Sequence, residues 1–456
     1  MELVSGMKSV VIGLGKSGIA AVKYLHGRGL DVGVSERRSI NELSSLEKTV
    51  LEENTCHVET GGHSEEFCSS ADVLVVSPGV PHDIPAIRAA KSCGIPVLGE
   101  LALAADQFRV PVIAVTGSNG KTTVTSLIAH LLEVSGKKVF LGGNIGTPVL
   151  EHIMNPEGCD VAVLELSSFQ LQAAGEFRPD IGVFLNLSPD HLDWHGSMQA
   201  YAEAKLKMFV CQLKTDTAII SGDDRFIQQQ SFITPGTVLR FGTTPDCRAV
   251  IDKMSVRLHP GFGKKGSQEI YNLSPTHLAS QVNLLNGAAA LLAVREFGCD
   301  PGMIRKGLAS FSPPEHRMTP VGEIQGIRFV NDSKATNVGA VVAALSGYRK
   351  DVVLIAGGRD KGSDFSVLRP VVQERVKHVI LIGEARRDIA KALAGVVEIQ
   401  QAESMEDAVA RAYEEAENHD TVLLAPACAS FDMFANYGER GRIFTRCVES
   451  LRKAIS

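Results

Sequence analysis

This chain of 456 residues contains no apolar run near the ~20 residues that a membrane-crossing helix needs. Met1 to Val10 lacks the apolar core of a signal peptide. Nine cysteines are scattered from Cys56 to Cys447 without one Cys-x-x-Cys pair. That odd, dispersed set argues for reduced thiols in cytoplasm, mostly packed as small hydrophobes, and against a disulfide framework or a zinc site. Basic charge is not in excess either. Lys and Arg total 46 against 52 Asp and Glu, a net charge of -6, which leaves no electrostatic footprint for nucleic acid or an anionic membrane. No internal repeat and no low-complexity tract interrupts the chain.

What is present is a globular composition, 44% hydrophobic and 21% charged, ample for a packed core. The length allows two to four domains. Strand and helix patterns alternate throughout, which predicts an α/β protein with mostly parallel sheets. Three blocks are expected. Residues 1–105 carry strands near 8–13, 31–35, 73–76 and 96–98, with helical patterns such as Ile19 to Arg28 between them. Residues 106–313 carry strands near 110–115, 138–141, 160–165 and 181–185, short extended segments over 237–273, and an apolar helix from Leu284 to Phe297. Pro313-Pro314 is a rigid break and a natural linker. Residues 314–456 carry strands near 327–331, 351–356, 377–382 and 420–424.

Thr116-Gly117-Ser118-Asn119-Gly120-Lys121-Thr122-Thr123 joins the strand ending at Val115 to a helical pattern over Lys121 to Leu132. Glycines there let backbone N–H groups approach an anion, and the helix N-terminus adds its positive dipole end. Lys121 is placed to reach terminal phosphates, and Thr122 offers a hydroxyl to Mg²⁺. The usual spacing puts glycine at 115, where this chain has Val115, so the loop is a variant.

Gly13-Leu14-Gly15-Lys16-Ser17-Gly18 follows the first strand, and Glu36 lies at the end of the second. Alone this pattern suggests a dinucleotide such as NAD, or simply a tight turn. Physically it specifies a diphosphate near a helix N-terminus and a hydroxyl partner for Glu36. Ser77-Pro78-Gly79-Val80 is either a second anion-friendly turn or an ordinary one. Glu165 ends the apolar strand Val161 to Leu164, placed to help hold Mg²⁺ or to open the helix that follows. The loop from Asn186 to His195 packs two histidines and two aspartates, and its His191 suits a metal or a substrate oxyanion. Lys205 and Lys207 lie in a helical pattern, Met198 to Val210, and on spacing alone both read as solvated. In the third block, Asn331 to Asn337, Gly357 to Gly362 and Ala425 to Asp432 each follow a strand, where open α/β sheets bind ligands. Arg317, just past the linker, suits bidentate contact with phosphate or carboxylate.

Taken together these residues resemble the Mur ligase family of ATP-dependent amide-bond ligases of peptidoglycan assembly. The phosphate loop without glycine at 115, Gly143-Asn144-Ile145-Gly146, Glu165-Leu-Ser-Ser-Phe-Gln, Asp190-His191, Ala204-Lys205, Asn283-x-x-Asn286, His316-Arg317 and Asn331-Asp-Ser-Lys-Ala-Thr-Asn carry the likeness along the whole chain. The resemblance implies an N-terminal Rossmann-like domain for a UDP-sugar, a central P-loop ATPase-like domain for ATP, and a C-terminal Rossmann-like domain for an amino acid. A hinge near Pro313-Pro314 is expected to close them.

It further implies D-glutamate as that amino acid and UDP-N-acetylmuramoyl-L-alanine as its acceptor. Lys121, Thr122 and the loop residues Gly117, Ser118, Asn119, Gly120 and Thr123 would hold ATP with a first Mg²⁺, and Glu165 would complete that metal site. His191 and a CO₂-derived carbamate on Lys205 would hold a second, which reverses the solvated reading of Lys205. Asn283, Asn286, Arg317 and Asp332 match further ATP contacts, and Lys334 a catalytic position near the phosphates. Ser17, Glu36, Ser77, Gly79 and Asn144 match UDP-sugar contacts; Lys361, Ser430 and Tyr437 match D-glutamate contacts. A cytoplasmic monomer without nucleic-acid or membrane partners is expected. Thr319, Glu36, Tyr437 and Arg359-Asp360 depart from residues frequent in the family. A related folylpolyglutamate synthase lacks the Gly13-x-Gly-x-x-Gly feature. An NAD dehydrogenase leaves the phosphate loop unexplained, and a non-catalytic nucleotide-binding protein leaves Glu165, His191 and Lys205 unexplained.

Overall fold

The computed structural model describes residues 3–55, 57–156, 158–230, 234–259 and 268–455. Cys56, the first two residues of the Met1–Val10 segment and part of the 237–273 region lie outside the described residues. The eight described cysteines are free thiols, and no described helix is long and apolar enough to cross a membrane.

Three sheets form three layered α/β domains, because the strands are short apolar runs with helices on their faces. The first sheet is parallel, ordered His57–Thr60, Asp31–Glu36, Lys8–Ile12, Val73–Val76, Val97–Leu98. The second has nine strands. Its centre runs Thr217–Ser221, Ile181–Phe184, Val112–Thr116, Val161–Glu165, Val139–Gly143, all parallel. Thr237–Gly242 continues it in parallel, and Ala249–Asp252, Ser255–Leu258 and Glu269–Asn272 complete one edge, the last two antiparallel. The third sheet is ordered Thr319–Ile324, Ile327–Asn331, Thr421–Leu424, Val352–Gly357, Val376–Ile382, Glu398–Gln401, parallel except for its first pair.

Strand order explains which loops meet. Val112–Thr116 lies between Ile181–Phe184 and Val161–Glu165, so the three loops leaving those strands share one edge. In register, Val115 pairs with Glu165 on one side and Val183 on the other, and it is fully buried. That is why valine replaces glycine: position 115 is strand core, and the turn begins only after Thr116. In the third sheet, Ile327–Asn331, Thr421–Leu424 and Val352–Gly357 are likewise neighbours.

Four strands escape the apolar-run reading. His57–Thr60 and Glu398–Gln401 are polar edge strands, half covered at best. Thr319–Ile324 carries a proline, a glycine and a register shift between Pro320 and Gly322. Thr217–Ser221 is buried but offers only three apolar residues, Ala218, Ile219 and Ile220.

The first two domains share one apolar core. Val11, Leu14, Val22 and Leu25 of the first belong to the same packed cluster as Ala114, Leu164, Phe184 and Tyr201 of the second. The helix Lys16–Gly27 packs on Glu100–Ala104 and Val149–Met154. Glu100, buried at this junction, accepts from Ser17 Oγ at 2.6 Å and from the Leu150 N–H at 3.1 Å. Gly99 N–H donates to the Ala173 carbonyl at 3.0 Å, and a Cβ at Gly99 would stand 2.8 Å from that oxygen. The third domain builds its own two clusters, around Leu354 and Phe329.

The shared core makes a testable demand. Leu14 is fully buried in the first domain, whereas Trp194, the sole tryptophan, reports on the second. Leu14→Ala is expected to remove ~2–5 kcal/mol from the unfolding transition followed by Trp194 fluorescence. An unchanged denaturant midpoint contradicts a common core.

Candidate active site

The phosphate loop is held open by its neighbour. Ser118 N–H donates to the Asn186 carbonyl at 3.0 Å and Asn119 N–H to Asn186 Oδ1 at 2.8 Å, while Asn186 Nδ2 donates to the Asn119 carbonyl at 3.0 Å. Ser118 Oγ is bonded to the Ser188 carbonyl at 3.0 Å and lies 3.2 Å from Tyr201 OH. Gly120, at φ +84°, turns the chain into the helix Lys121–Val134, and a Cβ there would lie 2.4 Å from Asn286 Oδ1. Asn286 in turn donates to Asn283 Oδ1 at 3.1 Å, so both buried asparagines lie beside the loop.

Two lysines point into this loop. Lys121 Nζ donates to the carbonyls of Gly117 at 2.8 Å and Ser118 at 2.9 Å. Lys205 Nζ donates to the same Gly117 carbonyl at 2.9 Å and sits 4.6 Å from the Tyr201 ring centre. Lys205 is 1% exposed, which corrects the solvated reading that helical spacing suggests for it; Lys207 is exposed, its amine on the Gln172 carbonyl. The face shared by Tyr201, Ala204 and Lys205 turns inward, and the stem reaches the loop instead of solvent. Burial first, and the nearby Lys121 second, pull the Lys205 amine well below its usual range, while Asp190 and Glu165 pull the other way. Burial also lowers Lys121.

Carboxylates face these amines. Glu165 Oε1 accepts from Asn144 Nδ2 at 2.7 Å, and the Glu165 carbonyl accepts from Asn144 N–H at 2.8 Å. Gly143 permits the approach: a Cβ there would stand 2.4 Å from the Glu165 carbonyl. Glu165 Oε2 is buried without a hydrogen-bond partner. A buried carboxylate oxygen left unpaired is the position a cation fills. His191, at φ +55°, opens the short helix Leu192–His195, with Nε2 3.6 Å from Asp190 Oδ2 and its ring edge-on to Phe169. Burial lowers its pKa, Asp190 opposes, and Lys361, Lys121 and Lys205 add to the lowering. No group of three His, Cys, Asp or Glu able to cage a metal occurs among the described residues. That donor set suits Mg²⁺, which keeps water and substrate phosphate oxygens in its shell.

The third domain closes over the loop. Arg317 Nη2 donates to Thr122 Oγ1, and Asn337 Nδ2 donates to Asp190 Oδ2 at 3.0 Å and to Asn119 Oδ1 at 3.2 Å. Burial pushes Asp332 up to about 6 against the pull of Arg317. Burial, then Arg317, bring Lys334 down to about 8, and its Nζ lies 3.9 Å from the Tyr437 ring centre. Lys361 is partly exposed on its loop, and Ser430 is buried.

A cavity of about 880 Å³ runs from the first domain to this point. Ser17, Glu36, Ser77, Gly79 and Asn144 all line it, and Tyr437 lines its far end. Asn144 is held by Glu165, and three more of these side chains already have partners. Ser17 is bonded to Glu100, Ser77 Oγ donates to the Gly13 carbonyl at 2.6 Å, and Glu36 accepts from Leu14 N–H at 2.7 Å and Arg38 N–H at 3.0 Å. Burial alone would raise Glu36; the bonds from Arg38 and Leu14 outweigh it and hold the carboxyl at about 2. Lys16 and Gln170, given no role of their own within their motifs, line the cavity as well, as do Arg37 and His63, which lie outside every motif. Asp190 and Asn337, inside two of the motifs, join the central and third domains, which no spacing signals.

Comparisons with known proteins follow the same division. The family models described as Mur ligase MurD-like N-terminal domain, Mur ligase middle domain, and Mur ligase glutamate ligase domain match residues 7–99, 115–294 and 316–428. A Desulfotalea psychrophila protein named UDP-N-acetylmuramoylalanine–D-glutamate ligase is 45% identical over 442 residues, covering 97% of this chain and 96% of that one. A Syntrophus aciditrophicus protein of the same name is 41% identical, with 97% of each covered. In fold, the chain is similar to the Thermotoga maritima MurF ligase in complex with ADP (TM-score 0.61, 18% identity, 98% and 96% covered). It is also similar to UDP-N-acetylmuramate-alanine ligase MurC of that organism (TM-score 0.57, 20% identity, 98% and 100% covered).

Gly120→Ala tests the loop geometry. The left-handed backbone and the clash with Asn286 are expected to cost about 1–3 kcal/mol, read as a lower denaturant midpoint, together with weakened pyrophosphate binding by calorimetry. Wild-type behaviour in both contradicts the geometry.

Proposed function

This chain belongs to the Mur ligase family, and we propose that it joins D-glutamate to UDP-N-acetylmuramoyl-L-alanine, converting ATP to ADP and phosphate in peptidoglycan synthesis. The names of its full-length relatives support the substrates. The observation that carries the chemistry is the convergence of Lys121, Lys205 and the unpaired Glu165 oxygen on one phosphate loop, beside a cavity that ends at the third domain.

The reaction has two displacements. A carboxylate oxygen of the acceptor attacks the γ-phosphorus of ATP, and ADP leaves, giving an acyl phosphate. The free amine of D-glutamate attacks the acyl carbon, passes through a tetrahedral intermediate, and phosphate leaves as the amide forms. Two anions must meet in the first step, so positioned positive charge is the main requirement.

In this reading residues 1–105, 106–313 and 314–456 hold UDP-sugar, ATP and amino acid respectively, and movement about Pro313-Pro314 brings them together. The backbone of Gly117 to Thr123 cradles the phosphates, with Lys121 and Arg317 donating to their oxygens. Asn283, Asn286 and Asp332 hold the rest of the nucleotide. Ser17, Glu36, Ser77, Gly79 and Asn144 hold the UDP-sugar. Lys361, Ser430 and Tyr437 hold D-glutamate, and Lys334 reaches the phosphate being transferred. Thr122 and Glu165 would hold one Mg²⁺, and His191 with a carbamate on Lys205 a second; Mg²⁺ supplies charge neutralisation between the anions. The carbamate forms when the unprotonated Lys205 amine attacks CO₂ and loses a proton. Two supports favour an unprotonated amine: Lys205 is buried, and it shares the Gly117 oxygen with Lys121. Two ammonium groups on one carbonyl repel strongly in a low-dielectric site. We place this enzyme in the cytoplasm, acting as a monomer.

Two outcomes are expected. With ATP and the acceptor present, phosphate release depends on D-glutamate and not on L-alanine, meso-diaminopimelate or L-lysine; release with another amino acid instead reassigns the chain within its family. Lys205→Ala loses most activity and regains part of it when a short free carboxylic acid is added. Undiminished activity in Lys205→Ala rules out the carbamate.

A further inference from the structure

Arg440 lies in the first turn of the helix Tyr437–Ile455, and its side chain is completely buried. A buried guanidinium normally has a carboxylate partner. Arg440 has none within ion-pair distance among the described residues, and its donors go instead to loop oxygens. Nε donates to Ser333 Oγ at 3.0 Å and Nη2 to the Ser333 carbonyl at 2.8 Å. Nη1 donates to the carbonyls of Cys428 at 3.1 Å and Ala429 at 3.3 Å.

These four bonds link the loops that leave two neighbouring strands, Ile327–Asn331 and Thr421–Leu424. Ser333 precedes Lys334. Cys428 and Ala429 precede Ser430. A third loop is tied to the same oxygen, because the Ala429 carbonyl also accepts from Arg359 N–H at 2.9 Å, two residues before Lys361. Gly358 leaves room for the guanidinium: a Cβ there would stand 3.2 Å from Arg440 Nη1 and 2.2 Å from the Ala429 oxygen. Ser333 Oγ closes the circuit by donating to the Tyr437 carbonyl at 2.8 Å. One planar group thus touches, directly or through one bond, the segments bearing Lys334, Lys361, Ser430 and Tyr437.

We propose that Arg440 is the positioning residue of the amino-acid subsite, fixing the spacing of Lys361, Ser430 and Tyr437 around D-glutamate, with Lys334 beside them, without touching the substrate. This rests on the functional reading above. Lysine cannot replace it: an ammonium is a point charge and cannot span Ser333 and the Cys428–Ala429 carbonyls in one plane.

The test is steady-state kinetics on Arg440→Lys, with thermal melting alongside. Losing two or more charge-assisted bonds is expected to raise the KM for D-glutamate about tenfold or more while the KM values for ATP and UDP-N-acetylmuramoyl-L-alanine stay within about twofold. Equal rises in all three, or no change in any, overturn the proposal. Should Arg440→Lys fail to fold, Ser333→Ala keeps three of the four bonds and removes only the hydroxyl link to Nε and Tyr437. It is expected to raise the D-glutamate KM about threefold, and an unchanged value overturns the proposal. A wild-type enzyme that releases no phosphate with D-glutamate would instead fail the functional reading, before any variant is measured.

Discussion

The Gly117 carbonyl oxygen accepts hydrogen bonds from Lys121 and Lys205 at 2.8 and 2.9 Å. One lysine comes from the helix that the phosphate loop opens, the other from a helix that follows Ile181–Phe184, the strand beside it in the sheet. Their meeting at one oxygen depends on much of the central domain. Val115 must be strand and not turn, Gly117 must expose its carbonyl, and Asn186 must hold the loop open. The consequence is chemical as well as geometric. Two amines this close cannot both carry charge cheaply without an anion, an arrangement that suits an anion at Lys121 and an unprotonated amine at Lys205.

Around that point the fold divides labour between rigid and adjustable contacts. The first and second domains share an apolar core, stitched at Gly99–Ala173 and by Glu100, so the long cavity between them has firm walls. The third domain has separate cores and meets the loop through polar groups, Arg317 to Thr122 and Asn337 to Asn119 and Asp190. Apolar burial between domains resists separation, whereas exchangeable hydrogen bonds let one domain part from the other at modest cost. The proposed function uses this division: ligands rest against a stiff pair of domains, and the third adds its residues through polar contacts.

Much of this fold is legible in the sequence because parallel strands buried on both faces are continuous apolar runs. Val73–Val76, Val161–Glu165 and Val352–Gly357 announce themselves that way. Edge strands such as His57–Thr60 and Glu398–Gln401 do not, since one face and one edge meet water. The phosphate loop is legible for a similar reason: small residues between a strand and a helix have few other uses. Lys205 is not. Helical spacing places it beside Tyr201 and Ala204 but cannot say that the face turns inward, and only the family resemblance pointed there. Arg440, Glu100, Asn337 and Asp190 are less legible still. Their partners lie in other loops or domains, so their roles exist only once the chain is folded.

The central claim is that a substrate carboxylate attacks the γ-phosphate at the Lys121–Lys205 loop. It is tested most directly by labelling both oxygens of the alanine carboxylate of UDP-N-acetylmuramoyl-L-alanine with ¹⁸O, running the reaction with ATP and D-glutamate, and weighing the phosphate. The account predicts one ¹⁸O in each phosphate released and one retained in the amide. Phosphate without ¹⁸O would contradict it.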